Sequence, residues 1–325
     1  MALVELDRIT KAFGRGRRRV QALRGISLTI ARGETLALVG ESGSGKSTLG
    51  RIALRLVEAD EGTVRILDRP VRELSAKELR SARRDMQMIF QDPFGSLDPR
   101  MVIGELVAEP MTVHGIGADH DERLARAVEL LERVGLDASA MERFPYEFSG
   151  GQLQRVAIAR ALATDPKFLV CDEPVAALDV SVRAQVLNLL TEVQRERGLA
   201  CLFITHDLSL VRAVADRVAV IHHGAIVECG PAEEVYEHPR HPYTQALLSA
   251  VPGRDPDRRS LLARAAEQPA PQTRESTGCT FANRCPLVME RCWTDVPTPH
   301  VDAAASHEVE VACHHLDVHR QQALQ

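Results

Sequence analysis

Gly40-Glu41-Ser42-Gly43-Ser44-Gly45-Lys46-Ser47 stands between a compact apolar run, Glu34-Thr-Leu-Ala-Leu-Val39, and a helix-like stretch from Ser47 to Leu56. The octapeptide fits G-x-x-x-x-G-K-[ST], and strand–loop–helix is the setting the motif needs. Its glycines let successive backbone N–H groups turn inward around phosphate oxygens, and the start of the following helix adds partial positive charge. Lys46 is placed to reach β- and γ-phosphates, and the Ser47 hydroxyl to hold Mg²⁺. Gly40, Ser42, Gly43, Ser44, Gly45, Lys46, Ser47 and Thr48 together read as a binding loop for a nucleoside triphosphate.

Outward from this loop, strand-like and helix-like stretches alternate from residue 1 to about 235, the pattern of an α/β domain with a largely parallel sheet. Leu3 to Ile9 and Gly25 to Ile30 alternate apolar and polar residues and predict an antiparallel entry sheet. Gln87 to Phe90, Phe168 to Cys171 and Ala200 to Ile204 read as further buried strands. Ser181 to Arg197 carries a 3.6-period stripe at Val182, Val186, Leu189, Leu190 and Val193. Residues 96–147 hold helical patterns such as Asp121 to Val134 and no good strand, which predicts a helical insertion. After about residue 236 the text turns rich in Pro, His and Arg, and 251–277 reads as a linker.

The chain has 325 residues, 45% of them hydrophobic and 26% charged, with a net charge of −5. These values exclude a disordered, collagenous or disulfide-scaffold chain. No apolar run reaches the roughly 18–20 residues that span a bilayer, so a cytosolic protein is expected. The negative net charge argues against wholesale attraction to nucleic acid. The basic run Arg15 to Arg19 therefore reads as a solvated loop between two strands.

Phe168-Leu-Val-Cys-Asp172-Glu173 is an apolar strand ending in two carboxylates. Asp172 is placed to coordinate Mg²⁺ and Glu173 to polarise an attacking water, because phosphoryl transfer needs positioning and electrostatics above all. Ser149-Gly150-Gly151-Gln152 precedes a helix from Leu153 to Ala163, where Ser149 also suits an N-cap. The order of Gly40–Ser47, Ser149–Gln152, Asp172-Glu173, Ala177-Leu-Asp179 and His206 resembles the ATP-binding cassette (ABC) ATPases, over residues 3 to about 235.

The resemblance implies a P-loop NTPase cassette with an antiparallel β subdomain, a helical subdomain at about 96–147 and catalysis by Glu173, His206, Lys46 and Gln91. Gln91 looks like the glutamine that contacts Mg²⁺ and senses the membrane subunit, and His206 like the switch histidine at the γ-phosphate. Phe13 resembles the aromatic residue that stacks on adenine, with core packing as its competitor. Two such domains meet head to tail, each ATP lying between one phosphate loop and the partner's Ser-Gly-Gly-Gln segment. Two departures stand out: Phe148 replaces the more usual leucine, and Ala176 stands where relatives often have serine.

A finer resemblance lies in Phe94 to Arg100, Val180 to Asn188 and His238 to Leu248, which look like the dipeptide/oligopeptide/nickel permease branch, nearest its F-type ATPase subunit. It implies an ATPase energising uptake of dipeptides or oligopeptides at the cytoplasmic face of the inner membrane. The alternatives are uptake of nickel or another small solute, or a soluble non-transport ABC ATPase. Implied partners are a second, related ATPase in a heterodimer, two integral membrane permease subunits and, indirectly, an extracytoplasmic solute-binding protein, with no nucleic acid. The domain division is then 1–235 for the ATPase and 236–325 for an oligopeptide/dipeptide-transporter-type C-terminal region.

Seven cysteines divide into Cys171, Cys201 and Cys229, which read as core hydrophobes, and a tail set, Cys279, Cys285, Cys292 and Cys313. Four thiolates can hold tetrahedral zinc or a [4Fe–4S] cluster. No close C-x₂-C pair is present, which weakens zinc, and the tail of the resembled branch favours [4Fe–4S]; free or disulfide-prone cysteines are the third reading. His300, His307, His314 and His315 read as surface side chains that could substitute as ligands.

Overall fold

The computed structural model describes residues 2–16, 19–176, 178–249, 276–301 and 308–316. Arg17, Arg18, Ala177, His307 and almost all of the 251–277 linker lie outside the described residues. The chain opens on β1 (Ala2–Phe13) and β2 (Val20–Ala31), paired antiparallel from Ala2↔Ala31 to Phe13↔Val20. After β3 (Thr35–Val39) and α1 (Lys46–Ala53), β4 (Glu61–Ile66) pairs with β1, and the two-residue β5 (Arg69–Pro70) pairs with β4. This gives the antiparallel sheet β2-β1-β4-β5. The entry strands are longer than their clean alternation because several register shifts carry the pairing past the irregular residues.

α2 (Ala76–Ala82) and β6 (Met86–Ile89) lead into α3 (Pro93–Ser96), α4 (Ile103–His114), α5 (His120–Arg133) and α6 (Gly150–Leu162). No described residue between Phe90 and Lys167 is in a strand. Then follow β7 (Phe168–Asp172), α7 (Val180–Arg197), β8 (Ala200–Thr205), α8 (Val211–Val214), β9 (Arg217–His222) and β10 (Ala225–Pro231). α9 (Ala232–Glu237), α10 (Pro242–Ser249), α11 (Arg291–Thr294), β11 (His300–Val301) and β12 (Glu310–Val311) follow. The large sheet runs β11-β12-β10-β9-β3-β8-β7-β6, parallel from β9 to β6 and antiparallel beyond β9.

The central strands are apolar on both faces, and their alternation sorts side chains between separate cores. Leu36, Leu38, Phe168, Val170, Leu202, Ile204, Ala219 and Ile221 face the antiparallel sheet and α1. Leu169, Cys171, Cys201 and Phe203 face the helices, packing with Ile103, Val107, Leu131, Leu153 and Leu190. Ala37, Val39, Val218 and Val220 form a third core with Val235, Tyr243, Phe281 and the tail. Phe148 fills a buried place in the helical core, with the Arg143 guanidinium over its ring.

The tail is not a detached appendage. β12 pairs with β10 through Glu228↔Val311 and Cys229↔Glu310, so the tail extends the central sheet. The expectation of surface histidines fails at His314, which is buried with Nε2 donating to the Asp295 carbonyl at 2.9 Å. Cys279, Cys292 and Cys313 are as buried as the three central cysteines, and Cys285 is half-buried, so burial does not separate the two groups.

Two fully buried histidines anchor the third core. His241 Nδ1 accepts the Tyr243 N–H at 3.0 Å, and burial lowers its pKa to about 3. His222 Nδ1 lies 3.0 Å from Thr280 Oγ1, and burial first, then the charge at His223, lowers its pKa to about 2. Both pKa values are depressed, so the stability they leave intact above the unfolded value of about 6.5 is lost as pH falls below it. Each should remove up to ~1.4 kcal/mol per pH unit. Thermal melts should show Tm falling steadily from pH 7 towards 5. His241→Asn, whose Oδ1 can take over the acceptor role, should flatten that slope; an unchanged slope would remove His241 from the account.

Candidate nucleotide site

In-register parallel pairing brings the carboxyl ends of three strands to one edge. Val39 of β3 pairs with Thr205 of β8, and Asp172 of β7 with Ile204 of β8. The residues that follow each strand, Gly40, Glu173 and His206, therefore emerge side by side, where open α/β sheets hold their ligands. A cleft of about 630 Å³ opens there, lined by Phe13, Ala22, Glu41, Ser42, Gly43, Gly45, Lys46, Ser47, Thr48, Gln91, Glu173, His206 and Leu247. Gly40 and Ser44 lie in the loop behind this lining. Asp172 reaches the site through Ser47 rather than lining the cleft.

The loop's shape depends on its glycines. Gly45 caps α1 with φ 106°, and a Cβ there would stand 2.5 Å from the Ala22 carbonyl oxygen. A Cβ on Gly40 would meet the Ile221 carbonyl oxygen at 2.1 Å. No side chain can replace either without moving backbone. Ser44 Oγ is buried inside the loop with no hydrogen-bond partner among the described residues, as a group awaiting a phosphate oxygen would be.

Lys46 Nζ donates to the carbonyls of Gly40 at 2.8 Å and Glu41 at 2.9 Å. Its pKa is lowered by burial, an effect partly offset by the carboxylates of Glu173, Asp172 and Glu41. Ser47 Oγ donates to Asp172 Oδ1 at 2.8 Å, and burial raises the Asp172 pKa against that hydrogen bond. Oxygen donors from Ser47 and Asp172 suit a hard cation, so the residues present fit Mg²⁺. Ser47, Asp172 and Gln91 would hold it, and bound there it would neutralise phosphate oxygens.

Glu173 is the hub of the far wall. Its Oε2 accepts from Gln91 Nε2 at 3.1 Å and lies 3.3 Å from His206 Nδ1. Glu173 adopts φ 46°, a left-handed conformation that costs a non-glycine residue about 1–3 kcal/mol. Phe13, offered above as adenine platform or core residue, is 46% exposed and lines the cleft, which excludes core packing.

Ser149, Gly150, Gly151 and Gln152 do not join this cleft. Ser149 caps α6: its Oγ accepts the Gln152 N–H at 3.3 Å, while the Gln152 side chain accepts the Ser149 N–H at 3.0 Å. This capping box draws the glycines into the helix, which starts three residues earlier than its apolar pattern suggests. The segment presents a helix N-terminus outside the lining of its own chain's cleft. Asp179 likewise caps α7, accepting from the Val182 N–H at 3.0 Å.

Three lining residues carry no sign in the motif itself. Ala22 comes from β2, and Leu247 from α10 within the His238–Leu248 stretch. Glu41 occupies a variable motif position.

Among the described residues no group of three or more His, Cys, Asp or Glu side chains stands ready to hold a metal ion. Cys279, Cys285, Cys292 and Cys313 share the third core and sense one another's charge, but burial pushes the thiols of Cys279 and Cys285 up to about 11 and about 12. Among the described residues these four do not stand as a formed ligand set for zinc or for [4Fe–4S].

The family model described as ABC transporter matches residues 23–176, and that for the oligopeptide/dipeptide transporter C-terminal region matches residues 227–292. The oligopeptide transport ATP-binding protein OppF of Bacillus subtilis (strain 168) is 51% identical over 256 residues, covering 78% of this chain and 84% of that protein. OppF of Salmonella typhimurium is 47% identical over 276 residues, covering 84% and 82%. The dimeric, post-hydrolysis structure of the ATP-binding cassette MJ0796 bound to ADP and Pi is similar with a TM-score of 0.66 and 34% identity, over 70% of this chain and 98% of that one. The structure of cbiO1 from Clostridium perfringens, part of the ABC transporter complex cbiONQ, gives 0.64 and 29%, over 73% and 91%.

Gly45→Ala should lower affinity for a fluorescent ATP analogue at least about tenfold, because the loop cannot hold its shape. Equal affinity would show that the loop tolerates the displacement its geometry forbids.

Proposed function

The chain belongs to the ABC transporter ATPases, in their oligopeptide/dipeptide branch, and on that premise we propose that it is the ATP-hydrolysing subunit of a peptide importer. One observation carries the reading: Lys46, Ser47, Gln91, Glu173 and His206 line one cleft, with Glu173 joined to both Gln91 and His206.

That geometry supports the following roles. Lys46 and the loop N–H groups bind and orient the β- and γ-phosphates, and Phe13 stacks on the adenine. Gln91 and His206 hold Glu173, whose carboxylate orients a water in line with the γ-phosphorus. The water oxygen forms a bond to phosphorus as the bond to the β–γ bridging oxygen breaks, and Glu173 accepts the water's proton on its way to phosphate.

We divide the chain into an ATPase domain, 1–235, with a helical subdomain at about 96–147, and a C-terminal region, 236–325. Ser149 to Gln152 stand outside the lining of their own chain's cleft, which supports a head-to-tail pair in which each segment closes the partner's site. The partner we assign is a second, related ATPase subunit.

Docking onto two membrane permease subunits is supported by a groove of about 250 Å³ between the helical region and the sheet, where Leu56 and Val113 are 44% and 45% exposed. Among the described residues no helix is long and apolar enough to cross a membrane, so attachment at the cytoplasmic face would run through those subunits. An extracytoplasmic solute-binding protein completes the proposed system, with dipeptides or oligopeptides as cargo.

For the tail we propose a [4Fe–4S] cluster, supported by four cysteines gathered in one apolar core. Zinc and free thiols are the rivals. Iron and acid-labile sulfide in anaerobically purified protein test it, and colourless, iron-free protein overturns it.

Glu173→Gln should keep ATP binding but reduce turnover at least about a hundredfold and trap a closed dimer on gel filtration. Unchanged turnover would refute the role of Glu173. Ser149→Ala should leave ATP binding by the single chain unchanged yet weaken ATP-driven pairing, and loss of single-chain binding would contradict the head-to-tail arrangement.

A further inference from the structure

The tail reaches the phosphate loop directly, and we propose that Arg284 and Tyr243 are positioning residues for the bound triphosphate, acting through Glu41. The inference rests on the ATPase reading and extends it to residues outside the phosphate-loop motif.

Arg284 forms a bidentate pair with Glu41, Nη1 to Oε2 and Nη2 to Oε1, both 2.9 Å. Tyr243 Oη accepts the Glu41 backbone N–H at 2.9 Å. Both the side chain and the main chain of this loop residue are thus held from the C-terminal region. Tyr243 itself is fully buried, its ring against His222 at 4.3 Å and Phe281 at 5.4 Å between centroids. Phe281 lies under the Arg284 guanidinium at 5.6 Å. One turn beyond Tyr243, Leu247 of the same helix lines the cleft.

Glu41 is a carboxylate on the wall of a site for a polyanion. Alone it would repel the phosphates; paired with a planar, permanently charged guanidinium it does not. The pair is 27% and 40% exposed at its two side chains, so it adds little to global stability. Its effect belongs to the charge beside the phosphates, where distances are short and screening is weaker. The Tyr243 hydroxyl, in turn, fixes the direction of the Gly40–Glu41 peptide, whose carbonyl, that of Gly40, receives Lys46 Nζ.

The test is titration of the full chain with a fluorescent ATP analogue at low and at physiological salt. Arg284→Ala should raise Kd about three- to fivefold at low salt and less at higher salt. Adding Glu41→Gln to Arg284→Ala should restore Kd to within about twofold of the original, because the uncompensated carboxylate is gone. A residue that only tethers the tail would not be rescued by removing its partner. Tyr243→Phe, which keeps the ring, should raise Kd about twofold with Tm nearly unchanged.

An unchanged Kd for Arg284→Ala, or no rescue by Glu41→Gln, overturns the proposal. Lys46→Ala, run in parallel, separates the two readings. If it binds the analogue as well as the original chain, the nucleotide site itself is wrong; if it loses binding while Arg284→Ala does not, only the positioning role falls.

Discussion

The parallel register of β3, β7 and β8 is the constraint on which the site depends. Successive strands pair without offset, Val39 with Thr205 and Asp172 with Ile204. Gly40, Glu173 and His206, far apart in the chain, therefore leave the sheet at one level. The Glu173 N–H extends this by donating to the Ile204 carbonyl at 3.0 Å, which carries the ladder one residue past the strand. A one-residue slip in any of these pairs would turn its functional side chain to the other face and empty the site. Both faces of the three strands are apolar and packed against different cores, so a slip would also leave two sets of side chains misplaced.

The elements that order this site were legible because they carry dense local signals. A glycine-rich loop between strand and helix, two acids ending an apolar run and a 3.6-period stripe each fix one element on their own. What stayed hidden lacks such signals. β4 turns into β5 through Leu67 and Asp68, both at positive φ with no glycine between the strands. β9 turns into β10 through His223 and Gly224, at φ 42° and 80°, the pair of positive angles a two-residue hairpin needs, but without the Asn-Gly or Asp-Gly that announces it. β11 and β12 have two residues each, too few for any periodicity. The contact between Arg284 and Glu41 joins residues whose neighbours in sequence say nothing of each other.

The cysteines show where residue type and spacing stop being informative. Cys171 and Cys201 sit on adjacent strands with sulfurs 3.8 Å apart, packed among Leu169 and Phe203 and far from solvent. Hydrogen bonding with Cys201, then burial, then the charges of Cys201 and Asp172 raise the Cys171 thiol, so this pair behaves as apolar filling. Cys279, Cys292 and Cys313 are buried as well, in a different core that Cys285 also packs against. Arg284 stands between Cys279 and Cys285, in the short turn of Ala282–Arg284. Whatever conformation holds those two thiols also sets the guanidinium that meets the phosphate loop.

Several polar groups of the cleft bond to one another. Lys46 donates to loop carbonyls, Ser47 to Asp172, and Gln91 to Glu173. These bonds occupy the atoms that the phosphates and the attacking water require, so binding exchanges them rather than adding to them. A site closed on itself in this way keeps a buried ammonium and two carboxylates paired, which would otherwise each carry a large desolvation cost. The exchange favours ATP only if the loop keeps its shape while its internal bonds break. That demand falls on the groups that hold the loop from outside: the glycines that admit the Ala22 and Ile221 carbonyls, the ladder from β3, and the tail residues bound to Glu41. The C-terminal region thus bears on the ATPase chemistry through the rigidity and charge it lends to one turn of backbone.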